Sequence, residues 1–482
     1  MNLLDIRKKL DSKEISVLEL TEQYLERISD TNATLNSFIT VTAEHARERA
    51  THAQAEIDAG QHSALTGIPY AAKDLFCTRG IQTTGASKIL KGYIPPYSAT
   101  AIEKCHDAVL LGKTNMDEFA MGSSTEHSAY GPTKNPYDLE RVPGGTSGGS
   151  SAAVAAGLVP FAFGTDTGGS IRQPASFCNI VGFKPTYGRI SRYGVMPTAS
   201  SFDTVGVFTQ TVADSAFLLH ELAGHDPLDA TTPDVAVDDY LAAVHGATDL
   251  KGVRIGIPKE YFSVEGFDPA IKKKCEAVIA LCERLGATIQ EISLPNTPYS
   301  LAAYYILNPS EVSSNLARYD GMQYGSRAAD ATTLEEVFVK TREQGFGPEA
   351  KRRIMIGTFC LSSGYYDAYY KKAQQVRTLV KQDFEHALQI VDIILAPVSP
   401  VLPFKIGERS NDPVEMYLAD IFTLPVSLAG IPALSLPIGF VNRLPTSVQF
   451  IAPQFQESRL LRVAHVVEQA AALDREHIPL AI

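Results

Sequence analysis

Residues 142–186 read VPGGTSGGSSAAVAAGLVPFAFGTDTGGSIRQPASFCNIVGFKPT, and the rest of the chain is organised around them. Two hydroxyl-bearing runs stand among glycines, GGTSGGSS at 144–151 and GTDTGGS at 164–170. Between them lies a small, apolar, Ala-rich segment. Glycine tolerates positive φ and lets a backbone approach another group closely. A hydroxyl among glycines therefore reads as a side chain held on a tight turn, with bare N–H groups facing outward. Acyl transfer needs that combination, a nucleophile together with donors for the oxyanion. A single run of this composition is equally a plain loop. Two runs bracketing an apolar helix-like segment are harder to explain that way. Neither run matches G-x-x-x-x-G-K-[ST], the phosphate loop.

Working outward, 151–158 reads as a helix of small residues and 161–163 as a short strand. Upstream, 66–74 is a strand-like run ending in Lys73, 99–103 is helix-like, 108–111 a buried strand, and 112–119 a turn into a helix. Residues 2–59 read as helices, with Leu18, Leu20, Tyr24, Leu25 and Ile28 at helical spacing and Ser16 as a cap. Downstream, strands are expected at 250–258, 288–294, 391–395, 432–437 and 447–451. Helices are expected at 268–285, 333–342, 348–372, 376–390 and 458–471. Strands alternating with helices indicate an α/β fold with a mostly parallel sheet. We read residues 1–482 as one large domain. It comprises an N-terminal helical arm (1–60), a core (61–220) and a peripheral part (225–430) contributing to the substrate pocket, with 226–239 as a candidate insertion.

The 482 residues are 45% hydrophobic and 20% charged, an ordinary enzyme composition. The net charge of −11 argues against this chain being the main phosphate-binding surface for a nucleic acid. Six cysteines form no C-x-x-C pair, so a structural zinc site is not expected. Cys275 and Cys282 fall on one helix face, and scattered cysteines fit a reducing compartment. The N-terminus lacks the apolar segment of a signal peptide, and no run approaches ~20 apolar residues. A cytoplasmic protein without a membrane span or a metal is expected.

Two mechanisms compete for the hydroxyls. Residues 145–149, GTSGG, formally match the G-x-S-x-G nucleophile elbow, with Ser147 as nucleophile and a histidine as base. That turn needs a preceding strand, which Arg141-Val142-Pro143 is not, and none of the eleven histidines has a special setting. The alternative base is a lysine, which accepts a proton only when burial pulls its pKa well below ~10.4. Lys73, at the end of a buried-looking strand, is the candidate.

Three segments carry a resemblance: GIPYAAKD at 67–74, PGGTSGGS at 143–150 and GTDTGGSIRQP at 164–174. They resemble the amidase signature family. The resemblance implies one α/β/α domain with a central mixed sheet and a Ser–cis-Ser–Lys triad. Ser170 is then the nucleophile and Lys73 the base. The bridging hydroxyl follows a cis peptide 24 positions before the nucleophile, which is Thr146 where the family usually has serine. Threonine keeps the hydroxyl, but its methyl crowds χ1, and Ser147 is a neighbour able to share the relay. The resemblance also assigns the oxyanion donors to the backbone of Thr167, Gly168, Gly169 and Ser170. Asp166 and Arg172 brace the loop.

Further segments, among them GKTNMDEFAMG at 112–122, KPTYGR at 184–189, LSSGYYDAYYKK at 361–372 and LPVSLAG at 424–430, resemble the glutaminase (A) subunits of tRNA-dependent amidotransferases within that family. Glutamine carries an α-carboxylate, best held by arginine, and an α-ammonium, best held by a carboxylate. The resemblance points to Arg353, Asp420 and Tyr304 respectively as carboxylate, ammonium and further pocket contacts, with Arg352 and Tyr305 as adjacent rivals. It implies heterotrimeric partners. A B subunit would receive the ammonia and hold ATP, Mg and most of the tRNA, and a small C subunit would wrap the interface. No cofactor is expected in this chain. Two other readings stay open: a stand-alone amidase for small or aryl amides, and a structural subunit whose site is impaired by Thr146.

Overall fold

Strands that bury both faces carry no alternating pattern, and here they form the middle of the structure. A computed structural model describes residues 2–409 and 413–471. In it β2 (Pro69–Lys73), β3 (Val109–Thr114), β4 (Phe161–Asp166), β5 (Val181–Lys184) and β6 (Thr204–Thr209) are buried at every position. The sequence reading placed no strand at β5 or β6, whose VGFK and TVGVFT are short, glycine-bearing and not amphipathic.

With β1 (Phe38–Val41), β7 (Arg254–Pro258), β8 (Thr288–Ile292), β9 (Ile393–Pro397), β10 (Ala433–Val441) and β11 (Leu444–Ile451) they make one sheet. Its order is β1-β3-β2-β4-β6-β5-β10-β11-β9-β7-β8. The α/β class holds, but the expectation of a mostly parallel sheet does not. Ladders are parallel in two patches, β3-β2-β4 and β9-β7-β8, and antiparallel elsewhere. A parallel neighbour needs a crossover connection. The central strands dispense with it: β10 and β11 are joined at Asn442 and Arg443, whose φ of 50° and 67° suit a tight hairpin.

Two further expectations change. The N-terminal region is not wholly helical, because β1 pairs with β3. Residues 112–119 are not a turn into a helix: β3 continues to Thr114, and only a single 3-10 turn, Glu118–Ala120, follows. Lys113 looked like a turn residue, yet it is fully buried. Its Nζ donates to the Phe76 carbonyl at 2.5 Å and to Thr83 Oγ1 at 2.8 Å. Elsewhere local signals are realised. Ser16 and Glu19 form a capping box on the helix Val17–Leu35. Cys275 and Cys282 are both buried on Pro269–Arg284, and all six cysteines are free.

The turn after β4 is held by a buried ion pair. Asp166 closes β4, and Arg172 opens the short helix Arg172–Phe177. Arg172 Nε and Nη2 donate to the two Asp166 carboxylate oxygens at 3.0 Å each, and neither side chain is exposed. Burial alone would raise the Asp166 pKa. The Arg172 charge and hydrogen bonds hold it below the usual carboxylate range. The remaining Arg172 donors reach Gln449 Oε1 on β11, the Thr423 carbonyl and Ser427 Oγ. Arg172 thus ties the 167–171 loop to the far half of the sheet. Removing one partner of a buried pair costs about 3–5 kcal/mol, because the other charge stays buried and uncompensated. Arg172→Ala should therefore lower the unfolding free energy by about that amount, read as a drop in the denaturation midpoint. A midpoint equal to wild type would contradict the role given to this pair.

Candidate active site

Lys73 ends β2, between β3 and β4, after the small residues Ala71 and Ala72. It is fully buried, and burial pulls its pKa down to about 7, against the opposing charges of Asp117, Asp203 and Asp166. Its Nζ lies 2.7 Å from Thr146 Oγ1 and 2.9 Å from Thr165 Oγ1. Thr165 was not among the expected residues. It precedes Asp166 on β4, and its opposite side-chain direction follows from the strand period.

The Gly145–Thr146 peptide is cis. A Cβ on Gly145 would strike the Asp117 carboxylate, so only glycine lets the loop lie this close. Asp117 accepts from the Thr125 and His127 amides at 2.9 and 3.0 Å, and its own amide donates to the Thr146 carbonyl at 3.2 Å. Gln173 Oε1 accepts from the Gly145 amide at 2.9 Å, while its Nε2 donates to the Ser123 carbonyl at 3.0 Å. Ser147 Oγ donates to the Thr165 carbonyl at 3.3 Å. The structure thus puts Thr146, and not Ser147, on Lys73, and the one hydrogen bond of Ser147 Oγ among the described residues involves no histidine.

Ser170 lies in the loop between Asp166 and Arg172. It is 8% exposed, whereas Lys73 is wholly covered. Thr167 Oγ1 donates to Asp203 Oδ1 at 2.7 Å, and Asp203 also accepts from the Thr198 amide at 2.8 Å. Thr423 Oγ1 donates to the Gly168 carbonyl at 2.7 Å. Gly169 has φ +139°, and any side chain there would meet Thr423. The Gly168 carbonyl is therefore engaged on the Thr423 side.

The three pocket residues come from distant parts of the chain. A Cβ on Gly168 would lie 2.7 Å from Tyr304 Oη, so this hydroxyl sits directly over the loop. Arg353 belongs to the helix Pro348–Leu361 and is 2% exposed. Its Nε donates to Glu349 Oε1 at 2.8 Å and its Nη1 to Asn308 Oδ1 at 3.1 Å. Its guanidinium lies 5.3 and 5.5 Å from the rings of Tyr305 and Tyr417. Asp420 accepts from Ser123 Oγ through Oδ2. Burial, with the negative charge of Asp166, raises its pKa to about 8 against that bond. Among the described residues, Arg353 Nη2 and Asp420 Oδ1 are buried with no hydrogen-bond partner. Of the adjacent rivals, Arg352 is exposed, and Tyr305 stacks on Tyr417 instead of covering Gly168.

Sequence reading missed Thr165, Asp117, Asp203, Gln173, Ser123, Asn308 and Glu349. Two carried a signal: Tyr304 with Asn308 and Glu349 with Arg353 stand at helical i, i+4 spacing. The others come together only through loops. Among the described residues no group of three or more His, Cys, Asp or Glu side chains is placed to hold a metal ion. No described helix is long and apolar enough to cross a membrane.

The family model described as Amidase matches residues 19–461. The glutamyl-tRNA(Gln) amidotransferase A subunit from Carboxydothermus hydrogenoformans is 53% identical, over 96% of this chain and 96% of its own. The protein of the same name from Azotobacter vinelandii is 53% identical over 98% and 97%. The crystal structure of the corresponding protein from Thermotoga maritima has a TM-score of 0.80 at 40% identity, covering 97% of this chain and 94% of that one. With the matched family spanning the strands and loops that carry Lys73, Thr146 and Ser170, this chain belongs to the amidase family.

Proposed function

We propose that the chain is the glutaminase subunit of a tRNA-dependent amidotransferase, hydrolysing glutamine to glutamate and ammonia. The observation that carries the choice of substrate is the pair of buried, unpartnered atoms, Arg353 Nη2 and Asp420 Oδ1. One is a fixed cationic donor and the other a carboxylate acceptor. They suit the α-carboxylate and α-ammonium of one amino acid, and a buried polar group left unpaired is costly. The full-length likeness to amidotransferase A subunits supports the same reading.

In this mechanism uncharged Lys73 takes a proton from Thr146 as Thr146 takes one from Ser170. Ser170 Oγ attacks the side-chain amide carbon. The oxyanion meets the backbone N–H groups of Thr167, Gly168, Gly169 and Ser170. The amide nitrogen regains a proton from Lys73 through Thr146 and leaves as ammonia. Water then attacks the glutamyl ester, losing its proton along the same relay, and frees Ser170. Thr146 supplies the bridging hydroxyl and Thr165 keeps the amine aimed at it. Asp166 and Arg172 hold the loop.

The ammonia passes, in this proposal, to a B subunit in the cytoplasm. That subunit holds ATP, Mg and Glu-tRNA, with a C subunit at the interface. The −11 charge of this chain suits such a division of labour.

In the complex with B and C subunits, Ser170→Ala should abolish glutamine-dependent amidation of Glu-tRNA and leave ammonia-dependent amidation intact. Thr146→Val should cost glutamine use at least roughly 100-fold, and Thr146→Ser should keep it. A wild-type complex that works only with ammonia would instead make this chain a structural subunit.

The pH profile follows from two groups. Lys73 is a base only when neutral, above about pH 7, and Asp420 carries its charge above about pH 8 in the free enzyme. Hence kcat/KM for glutamine should fall with acidification through both values. Bound ammonium keeps Asp420 ionised, so kcat should follow Lys73 alone. A flat kcat/KM between about pH 6 and 9 would contradict this.

Arg353→Ala should raise the glutamine KM by at least roughly 30-fold, the loss expected for a buried charge pairing. Unchanged glutamine turnover in that variant would favour a stand-alone amidase acting on another amide.

A further inference from the structure

Helices Ser300–Asn315 and Pro348–Leu361 cross so closely that a Cβ on Gly357 would collide with the Pro309 carbonyl. Asn308, fully buried, stands beside the crossing and lies between Arg353 and Tyr304. Which way its amide faces is settled by chemistry. Arginine offers only donors, so the atom 3.1 Å from Arg353 Nη1 has to be the amide oxygen. The amide nitrogen is then turned to Tyr304 Oη at 3.3 Å. Among the described residues this is the one hydrogen bond of that hydroxyl. A phenol oxygen that accepts here keeps its own hydrogen for something else, and its open side lies over Gly168.

We propose that Asn308 is a positioning residue for substrate selection: it turns the Tyr304 hydroxyl into a donor aimed at the amino acid above Gly168, and holds Arg353 so that Nη2 stays free for the carboxylate. The inference rests on the glutamine reading. It adds a group that touches no substrate atom yet sets the donor pattern the substrate meets. A site with a fixed, buried donor rejects ligands lacking the matching acceptor far more strongly than an apolar pocket does.

The test is a double-mutant cycle in the complex with B and C subunits. Its readouts are the glutamine KM and kcat, with ammonia-dependent amidation as the control for folding. In Asn308→Asp the ionised side chain still accepts from Arg353 and cannot donate to Tyr304. The expected result is a KM roughly tenfold higher, the loss of about one buried hydrogen bond, with kcat little changed. In the Tyr304→Phe background the same change should alter KM by less than about twofold, because the coupled partner is already gone. An unchanged KM, or a tenfold rise that persists in the Tyr304→Phe background, would overturn the proposal. If Asn308→Asp also loses ammonia-dependent activity, Asn308→Ser decides. It gives up both the Arg353 and Tyr304 contacts, so its KM rise should be smaller in the Tyr304→Phe background without vanishing, and an equal rise in both backgrounds would overturn the proposal. If the wild-type complex does not use glutamine, the functional reading itself has failed, an outcome distinct from a failed cycle.

Discussion

Everything at this site depends on keeping one lysine dry. Lys73 is fully buried at the end of β2, and burial brings its pKa to about 7. In water the same amine would be charged at neutral pH and unable to serve as the proposed base. A strand whose every residue is buried, with a parallel neighbour on each side, keeps solvent from its end. A lysine at the exposed end of an edge strand would keep its proton, and the hydroxyls around it would be ordinary loop residues.

That dryness sets the terms for the acids nearby. Asp117, Asp203 and Asp166 each act to raise the Lys73 pKa and so oppose its neutral form. Their own charges are spread over other donors. Asp117 and Asp203 take backbone amides, and Asp166 takes the guanidinium of Arg172. The two loops are thus held by carboxylates whose hydrogen bonds come from donors other than the amine. Among the described residues the lysine amine has two hydrogen-bond partners, both hydroxyls, of which Thr146 belongs to the cis-peptide loop and Thr165 to β4. The threonine methyl at 146 does not displace its oxygen, which sits at an ordinary hydrogen-bond distance of 2.7 Å from Nζ.

The proposed substrate pocket is assembled differently. Its charged members sit outside the two glycine-hydroxyl loops, on the helix Pro348–Leu361 and just before Leu424–Ala429. Arg353 is neutralised along one edge by Glu349, satisfied by Asn308 on a second arm, and left open on the third. Asp420 has one oxygen on Ser123 and one open. Asn308, Arg353 and Asp420 all lie far beyond Ser170 in the chain. Their arrangement follows from how the helices cross.

Much of the catalytic half was legible in order. The two glycine-hydroxyl runs and the lysine at a strand end are local signals, a turn that needs glycine and a strand that needs burial, and the family resemblance of the segments that hold them gave them their roles in acyl transfer. The helices Val17–Leu35 and Pro269–Arg284 were legible for the same reason, since caps and a 3.6 period are written within one segment. What the sequence by itself determined is therefore the local chemistry, hydroxyls on tight turns and an amine on an apolar run. Only the tertiary structure decided that β5 and β6 are strands, that the sheet's middle is antiparallel, and that Lys113 is buried inside β3. It alone also brought Thr165, Asp117, Asn308 and Asp420 to their partners. Side chains far apart in the chain meet through packing, and packing is a property of the whole sheet and its helices, which no short window of sequence contains.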